Sequence, residues 1–200
     1  GSYEVCLTTM QGEVLLKQLV TVPSMVAVRF DLSLIPGAAG NGRPGPVSYY
    51  RLSHKVPDKA WKLFRKAGKA AKAGHSEETV QLLDKALAED EQFADALHMR
   101  GLYALQSKDY QHARTLLDRA ARLDDCNSNF LADAAFGQYV VESNGPAQDY
   151  AKSALRLDPA NKKANYVLAL TMLKQGKQGE ETVRALRQAS PMFPSATRIL

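Results

Sequence analysis

Four histidines and two cysteines are the side chains of this 200-residue chain with the clearest capacity for metal binding or nucleophilic catalysis. They are His54, His75, His98 and His112, with Cys6 and Cys126. None belongs to an HExxH motif or to a Cys/His pair at the spacing of a zinc site. Cys126 follows two aspartates, and nearby carboxylates raise a thiol pKa, which disfavours the reactive thiolate. These residues therefore predict neither a metal site nor a cysteine nucleophile.

The other motifs that could support catalysis are also absent from the sequence. The glycine-rich stretch 37–45 contains no Gly-Lys-Ser/Thr and does not open a predicted helix, which is typical of a flexible loop rather than a phosphate site. No GxSxG sequence is present to form a nucleophile elbow. We therefore predict a protein that is not an enzyme and that uses no cofactor.

Composition fits an ordinary globular chain with a mild basic excess. Hydrophobic residues make up 45% and charged residues 24%, and the formal net charge is +5. The longest apolar stretch is interrupted by Lys17, Gln18 and Pro23, so no transmembrane segment is predicted. Two distant cysteines give no disulfide framework.

One basic segment, residues 55–72, concentrates positive charge. Its lysines at i, i+3 and i+4 spacing share one helix face, the basic face, formed by Lys59, Lys62, Lys66 and Lys69. Contact with an anionic polymer, a lipid surface or an acidic partner is one interpretation, and a solvated face on a terminal helix is the simpler one. No aromatic side chain shares this helix face with the lysines, so nucleic acid is not an expected partner.

Residue 56 separates two predicted domains. Residues 1–56 form a small β segment of about four strands, and residues 57–200 form a helical domain. Alternating apolar residues identify the clearest strand at Met25–Leu34, where one face is buried. The other predicted strands are Tyr3–Met10, Glu13–Val20 and Val47–Leu52.

Helical periodicity predicts eight helices arranged as four antiparallel pairs. Their bounds are Asp58–Ala73 with Glu77–Glu89, Ala94–Gln106 with Tyr110–Leu123, Phe130–Glu142 with Ala147–Leu157, and Ala164–Gln175 with Glu180–Ala189. Asn144-Gly145-Pro146 is the predicted turn of the third pair.

Small residues recur through this helical part at a nearly constant interval. The alanines near the end of each pair follow one another after 34, 34 and 35 residues: Ala86, Ala120, Ala154 and Ala189. The eighth place of each unit is small as well: Ala67, Gly101, Ala135 and Ala169. Small residues let two helices approach closely, so we predict Gly101 and Ala135 at helix contacts and Leu117 in the core.

This pattern of small residues resembles the tetratricopeptide repeat (TPR), whose 34-residue unit is a helix–turn–helix. The resemblance covers about 58–194, with four units in phase. It departs from the family pattern where Lys66 and Arg100 replace a leucine and Asn165 replaces an aromatic residue. It implies a mainly α fold, an α-solenoid of about four TPR-like helix pairs preceded by a small antiparallel β segment.

In this repeat class the first helix of each pair lines a concave surface, here called the groove. The resemblance places ten side chains there: Trp61, Phe64, His98, Leu102, Leu105, Phe136, Tyr139, Tyr166, Leu170 and Leu173. The family's clamp for acidic peptide C-termini needs Lys, Asn and Arg at several of these positions, and this chain lacks it. The sequence therefore predicts a protein-interaction module that binds an apolar peptide or helix. The alternative that the β segment or further repeats cover part of the groove is left open, as is a homo-oligomer.

The β segment resembles a shortened carboxypeptidase regulatory-like sandwich. Such a sandwich followed by the junction from Ser53 to Ala60 and then by TPRs looks like a group of bacterial envelope proteins. That resemblance implies a periplasmic or secreted protein. Without it, a cytoplasmic protein is expected. A rival function, carbohydrate or cell-wall binding through this segment, would use Tyr49 and Tyr50 as exposed sheet aromatics.

Overall fold

The computed structural model describes residues 2–8, 14–21, 48–177 and 179–189. The chain divides into two compact units, residues 1–47 and 48–200. In the first unit, strands β1 (Ser2–Thr8) and β2 (Val14–Thr21) pair antiparallel, from Ser2 opposite Thr21 to Leu7 opposite Leu16. The predicted strand Met25–Leu34 lies outside the described residues. A β segment larger than these two strands therefore stays a prediction.

The second unit is helical in its described residues. Its helices are α1 (Tyr49–Ser53), α2 (Asp58–Lys72), α3 (Ser76–Glu89), α4 (Ala94–Gln106), α5 (Tyr110–Leu123), α6 (Ser128–Val140), α7 (Asn144–Leu157), α8 (Lys162–Lys174) and α9 (Glu180–Ala189). From α2 onward they form the four predicted pairs, with α2 against α3, α4 against α5, α6 against α7 and α8 against α9. The all-helical repeat array predicted from the spacing is confirmed.

Helix α1 corrects one prediction. The strand expected at Val47–Leu52 is wrong, because Tyr49–Ser53 is helical. The hydroxyl of Ser48 caps this helix by accepting the backbone N–H of Arg51 at 3.3 Å, and a Ser N-cap favours a helix start over strand propensity. Residues 48–56, predicted with the β segment, belong to the same compact unit as the repeats. Tyr49 and Tyr50 are therefore not sheet aromatics.

The close approach predicted at Gly101 is present. A Cβ atom at Gly101 would lie 2.7 Å from Cγ of Leu117, so α4 and α5 touch where no side chain fits. Leu117 is fully buried and also faces Gly137 of α6. The period-setting alanines are buried as well: Ala67, Ala86, Ala120, Ala135, Ala154, Ala169 and Ala189. The repeat phase read from the sequence is therefore correct.

The turn inside each pair adopts one geometry four times. Gly74, Lys108, Glu142 and Gly176 have φ values of 80°, 63°, 64° and 73°, and they are spaced 34 residues apart. In each turn the next residue donates its N–H to the carbonyl five residues back, the hydrogen-bond pattern of a Schellman motif. Two of the four turns use a residue other than glycine in a left-handed conformation, which is unfavourable for L side chains.

The predicted turn at Asn144-Gly145-Pro146 is wrong, since these residues form the first turn of α7. The N–H groups of a first turn have no partner within the helix, so a proline is tolerated there. The chain reverses just before them, at Glu142. Helix α6 likewise begins two residues before its predicted start at Phe130, because Asn127 caps it by accepting two backbone N–H groups.

Curvature follows from which helices meet between pairs. Helix α6 packs along α8 and touches α4, whereas the described second helices α3, α5 and α7 make no comparable contact with one another. The first helices α4, α6 and α8 thus lie closer to one another than the second helices do, as expected for the concave side of a TPR-like solenoid. Among the described residues the core divides into four successive clusters along the row of helices.

Candidate functional site: the inner face of the first helices

All ten residues predicted for the groove lie on α2, α4, α6 and α8, the four first helices. Nine of them are half-buried, and Trp61 is 38% exposed. Side chains that line a binding surface pack against the core on one side and stay accessible on the other, and half-burial fits that arrangement. Their contact with a partner stays a prediction.

Aromatic packing closes the groove at α2. The ring centroid of Trp61 lies 4.9 Å from that of Phe93 and 5.8 Å from that of Phe64, in edge-to-face geometries. Phe93 precedes α4 and is fully buried. Sequence reasoning missed Phe93, although a large aromatic just before a helix start is a recognisable anchoring position. Trp61 is therefore held in a fixed place beside the groove.

The part of the groove on α6 and α8 is largely apolar. Phe136 and Tyr139 pack against the cluster that contains Val167 and Leu168. The ammonium of Lys174 lies 4.6 Å from the ring centroid of Tyr139, a cation–π contact at the edge of this surface. Burial, with a contribution from neighbouring Tyr166, raises the pKa of Tyr139. The phenol therefore stays neutral at physiological pH.

A charged cluster lies across the start of the same helices. Nε2–H of His98 donates to Asp133 at 2.9 Å, and the ammonium of Lys163 pairs with the other oxygen of that carboxylate. The His98 ring stacks on Phe130 with centroids 4.3 Å apart. Of these residues only His98 was predicted at the site. Asp133 was missed because it lies among apolar residues of α6, where the sequence pattern gives no sign of two hydrogen-bonding partners from other helices.

Asp133 makes stability depend on pH. Burial acts to raise the pKa of its carboxyl, but hydrogen bonds and charge from His98 and Lys163 outweigh burial and hold that pKa below its ordinary value. A carboxyl with a lowered folded pKa contributes stability above its unfolded pKa of about 3.9, and that stability is lost as pH falls through the folded value.

Asp133→Asn is therefore expected to lower the free energy of unfolding at neutral pH by about 1–3 kcal/mol, since two half-buried donors lose their charged acceptor. The variant should also lose stability less steeply than the parent as pH falls below about 4. Urea unfolding followed by circular dichroism across pH measures both effects. Asp149→Asn on the exposed surface of α7 is the control, and a parental stability curve for Asp133→Asn would contradict this role.

Arg51 of helix α1 contacts a patch beside the predicted groove, formed by Asp95, Asp124 and Phe130 and here called the entrance. The guanidinium of Arg51 makes two hydrogen bonds to Asp95, at 2.7 and 3.0 Å, and Nε–H donates to Asp124 at 2.7 Å. Its Cζ lies 5.9 Å from the Phe130 ring centroid. Burial acts to lower the pKa of Arg51, but the two carboxylates outweigh it and raise that pKa further. Arg51 therefore remains a cation at any relevant pH.

The basic face is exposed at all four lysines of α2, Lys59, Lys62, Lys66 and Lys69. Lys59 pairs with Glu89 of α3 at 2.7 Å. Exposed pairs of this kind contribute little stability. Contact of the basic face with an anionic surface therefore stays a prediction.

Other chemistry is limited in the described part of the chain. Burial, followed by the charge of Asp125, raises the pKa of Cys126 to about 11, so the thiol stays protonated at neutral pH, as the sequence indicated. No three His, Cys, Asp or Glu side chains among the described residues are grouped as metal ligands. None of the described helices has the length and apolar character needed to cross a membrane.

The helix pairs, their 34-residue phase and their curvature define the fold of a TPR-like α-solenoid. No protein-family model matches the sequence, and no curated protein matches it. Similar solved structures include a crystal structure of MamA, with a TM-score of 0.61 and 17% identity over 70% of this chain and 77% of that one. Another is MamA 41-end from Desulfovibrio magneticus RS-1, with a TM-score of 0.58, 20% identity and coverage of 70% and 78%. A third is the first TPR of Spaghetti (RPAP3) bound to the HSP90 peptide SRMEEVD, with a TM-score of 0.55, 19% identity and coverage of 59% and 94%.

Proposed function

We propose that this protein is a non-enzymatic protein-interaction module that binds a largely apolar peptide or amphipathic helix in the groove. The observation that carries the proposal is the set of half-buried apolar and aromatic side chains on neighbouring first helices, above all Phe136, Tyr166 and Leu170. Apolar surface gains about 25 cal/mol per Å² on burial, so a few such side chains dominate binding. Aromatic anchors are the usual hot spots of interfaces.

Charge at the groove argues against an acidic ligand. The similar TPR of Spaghetti is described bound to the peptide SRMEEVD, which carries three carboxylate side chains. Here Lys163 is already paired with the buried Asp133, and Arg51 is paired with Asp95, so the nearby cations are engaged by carboxylates of the chain itself. An acidic peptide would have to compete with those carboxylates for a positive partner, which weakens its association. The proposed ligand is therefore apolar and not acidic.

Phe136→Ala or Tyr166→Ala is expected to weaken peptide binding by about 2 kcal/mol, or roughly thirtyfold in Kd, because each substitution removes an aromatic anchor. Peptides are first selected from a displayed library of amphipathic helices on the parent protein, then synthesised. Their Kd values are measured by the fluorescence of Trp61, the only tryptophan of the chain. Apolar binding should change little between low and physiological salt.

Tyr110→Ala is the matched control, since Tyr110 is a 39% exposed aromatic on a second helix, α5. Its loss should leave the Kd unchanged. Selected peptides whose affinity survives both Phe136→Ala and Tyr166→Ala would overturn the proposal and direct attention to another face.

A further inference from the structure

Helix α1 is attached to the repeats by one face only. A helix of five residues is not stable in isolation, so its contacts set its position. The hydroxyl of Tyr50 donates to the carbonyl of Gln92 at 2.8 Å and accepts the N–H of Ala94 at 3.0 Å. On the other face Tyr49 is 76% exposed and Leu52 42% exposed. The helix is therefore a short docked segment joined to α2 by residues 54–57, of which His54 is also anchored, with its Nε2 2.8 Å from a carboxylate oxygen of Asp90.

The entrance requires a cation. The side chain of Asp124 is only 5% exposed, and removing the cation from a buried ion pair is strongly unfavourable. Among the described residues, Arg51 is the one cation paired with Asp124 and with Asp95. The nearby His98 and Lys163 are engaged by Asp133. If α1 left, the repeats would supply no replacement from this neighbourhood.

The geometry of the entrance selects arginine among cations. Asp95 receives two parallel hydrogen bonds from the terminal nitrogens while Asp124 receives the third from Nε. A guanidinium offers donors in this fixed fork, and the point charge of a lysine does not. Phe130 lies beside the guanidinium and stacks on His98, a groove residue. The entrance is thus continuous with the groove.

We propose that the groove entrance is a docking site for an arginine side chain of the bound partner segment, and that Arg51 is an internal ligand which this arginine displaces. The inference rests on the proposed function, because it adds an anchor to the same groove. The partner segment is then apolar along most of its length, with an arginine where it passes Asp95 and Asp124. Helix α1 acts as a tethered competitor that sets a threshold for partner affinity.

The test uses a synthetic peptide with the sequence of residues 48–54, and a matched peptide in which neutral citrulline replaces the arginine. We expect Arg51→Ala to bind the arginine peptide at least about tenfold more tightly than the parent, since the tethered competitor is gone. The citrulline peptide should bind Arg51→Ala at least about tenfold more weakly than the arginine peptide does. Titration followed by NMR gives these Kd values.

Two further measurements distinguish a change in peptide binding from a change in folding. Because the arginine peptide restores the missing cation, it should raise the Tm of Arg51→Ala but not that of Arg51→Ala/Asp124→Asn. In the unaltered protein, excess arginine peptide should accelerate hydrogen exchange of the amides in residues 49–54, since α1 is displaced. Equal affinity of parent and Arg51→Ala, equal binding of the two peptides, or unchanged exchange at saturation would each overturn the inference.

The two proposals fail in different ways. Library peptides that lose affinity in Phe136→Ala, combined with no preference for arginine in Arg51→Ala, would retain the proposed function and overturn the inference. An arginine-specific site in Arg51→Ala, combined with library peptides indifferent to Phe136, would support the inference and overturn the proposed function. If the parent sediments as a dimer and Arg51→Ala as a monomer, Arg51 acts between two copies, and its role as an internal ligand is overturned.

Discussion

Leu117→Ala is expected to lower the free energy of unfolding by about 2–5 kcal/mol. Leu117 is fully buried between Gly101 of α4 and Gly137 of α6, so its removal opens a cavity where three helices meet. Glycines on two sides offer no side chain that could move into that space. Urea unfolding followed by circular dichroism measures the change.

Leu52→Ala is the matched control for this truncation. Leu52 is 42% exposed, so its loss should change the free energy of unfolding by no more than about 0.5 kcal/mol. If Leu117→Ala and the parent had similar unfolding midpoints, Leu117 would not be packed at the α4–α5 contact as described.

Gly101→Leu is the second large expected effect, a destabilisation of about 1–3 kcal/mol or more from overpacking. Even the first atom of the new side chain would lie 2.7 Å from Cγ of Leu117, closer than carbon atoms approach one another. Either α4 and α5 separate or Leu117 leaves its position. Thermal and urea unfolding quantify the loss.

The same substitution at Gly68 provides the contrast. A Cβ at Gly68 would meet nothing within 4 Å, so Gly68→Leu should be neutral or stabilising by up to about 1 kcal/mol, because glycine is unfavourable inside a helix. The double variant Gly101→Leu/Leu117→Ala should cost less than the sum of the two single variants, since the truncation vacates the volume that the new leucine needs. Additive costs would contradict a direct contact.

The repeat architecture was predictable because its determinants are local and periodic. Small residues at fixed spacing mark where helices touch, as Gly101 and Ala135 show, and apolar residues three and four apart mark the buried stripe. The bounds of α4, α5 and α9 agree with their prediction for the same reason. Each of these features can be read within one 34-residue unit.

The turns and α1 were not predictable in the same way. Glu142 carries no sign of a left-handed conformation, and the strong turn residues that follow it mark a helix start instead. Helix α1 depends on contacts between residues more than forty positions apart, such as the bond from Tyr50 to Gln92. A five-residue segment has too little periodicity to reveal such a tertiary position.

The apolar members of the candidate site were predictable from the sequence, and its charged members were not. Its apolar members follow from repeat positions, since the resemblance assigns a groove-facing place to residues such as Phe136 and Tyr166. The entrance joins Arg51 of α1 to side chains from α4, α6 and the end of α5. No spacing rule within one unit connects Arg51 to Asp124, so only the folded arrangement reveals it.

The division of the core into four successive clusters has a consequence for how such a protein can change over time. Three of the clusters are shared by neighbouring helix pairs and the fourth lies within the last pair, so the stability of the array is close to a sum of units and their junctions. Duplication or loss of a terminal unit would then lengthen or shorten the row of first helices while leaving the remaining units folded. The length of that surface can therefore evolve by changes in unit number, independently of the residues that each unit presents.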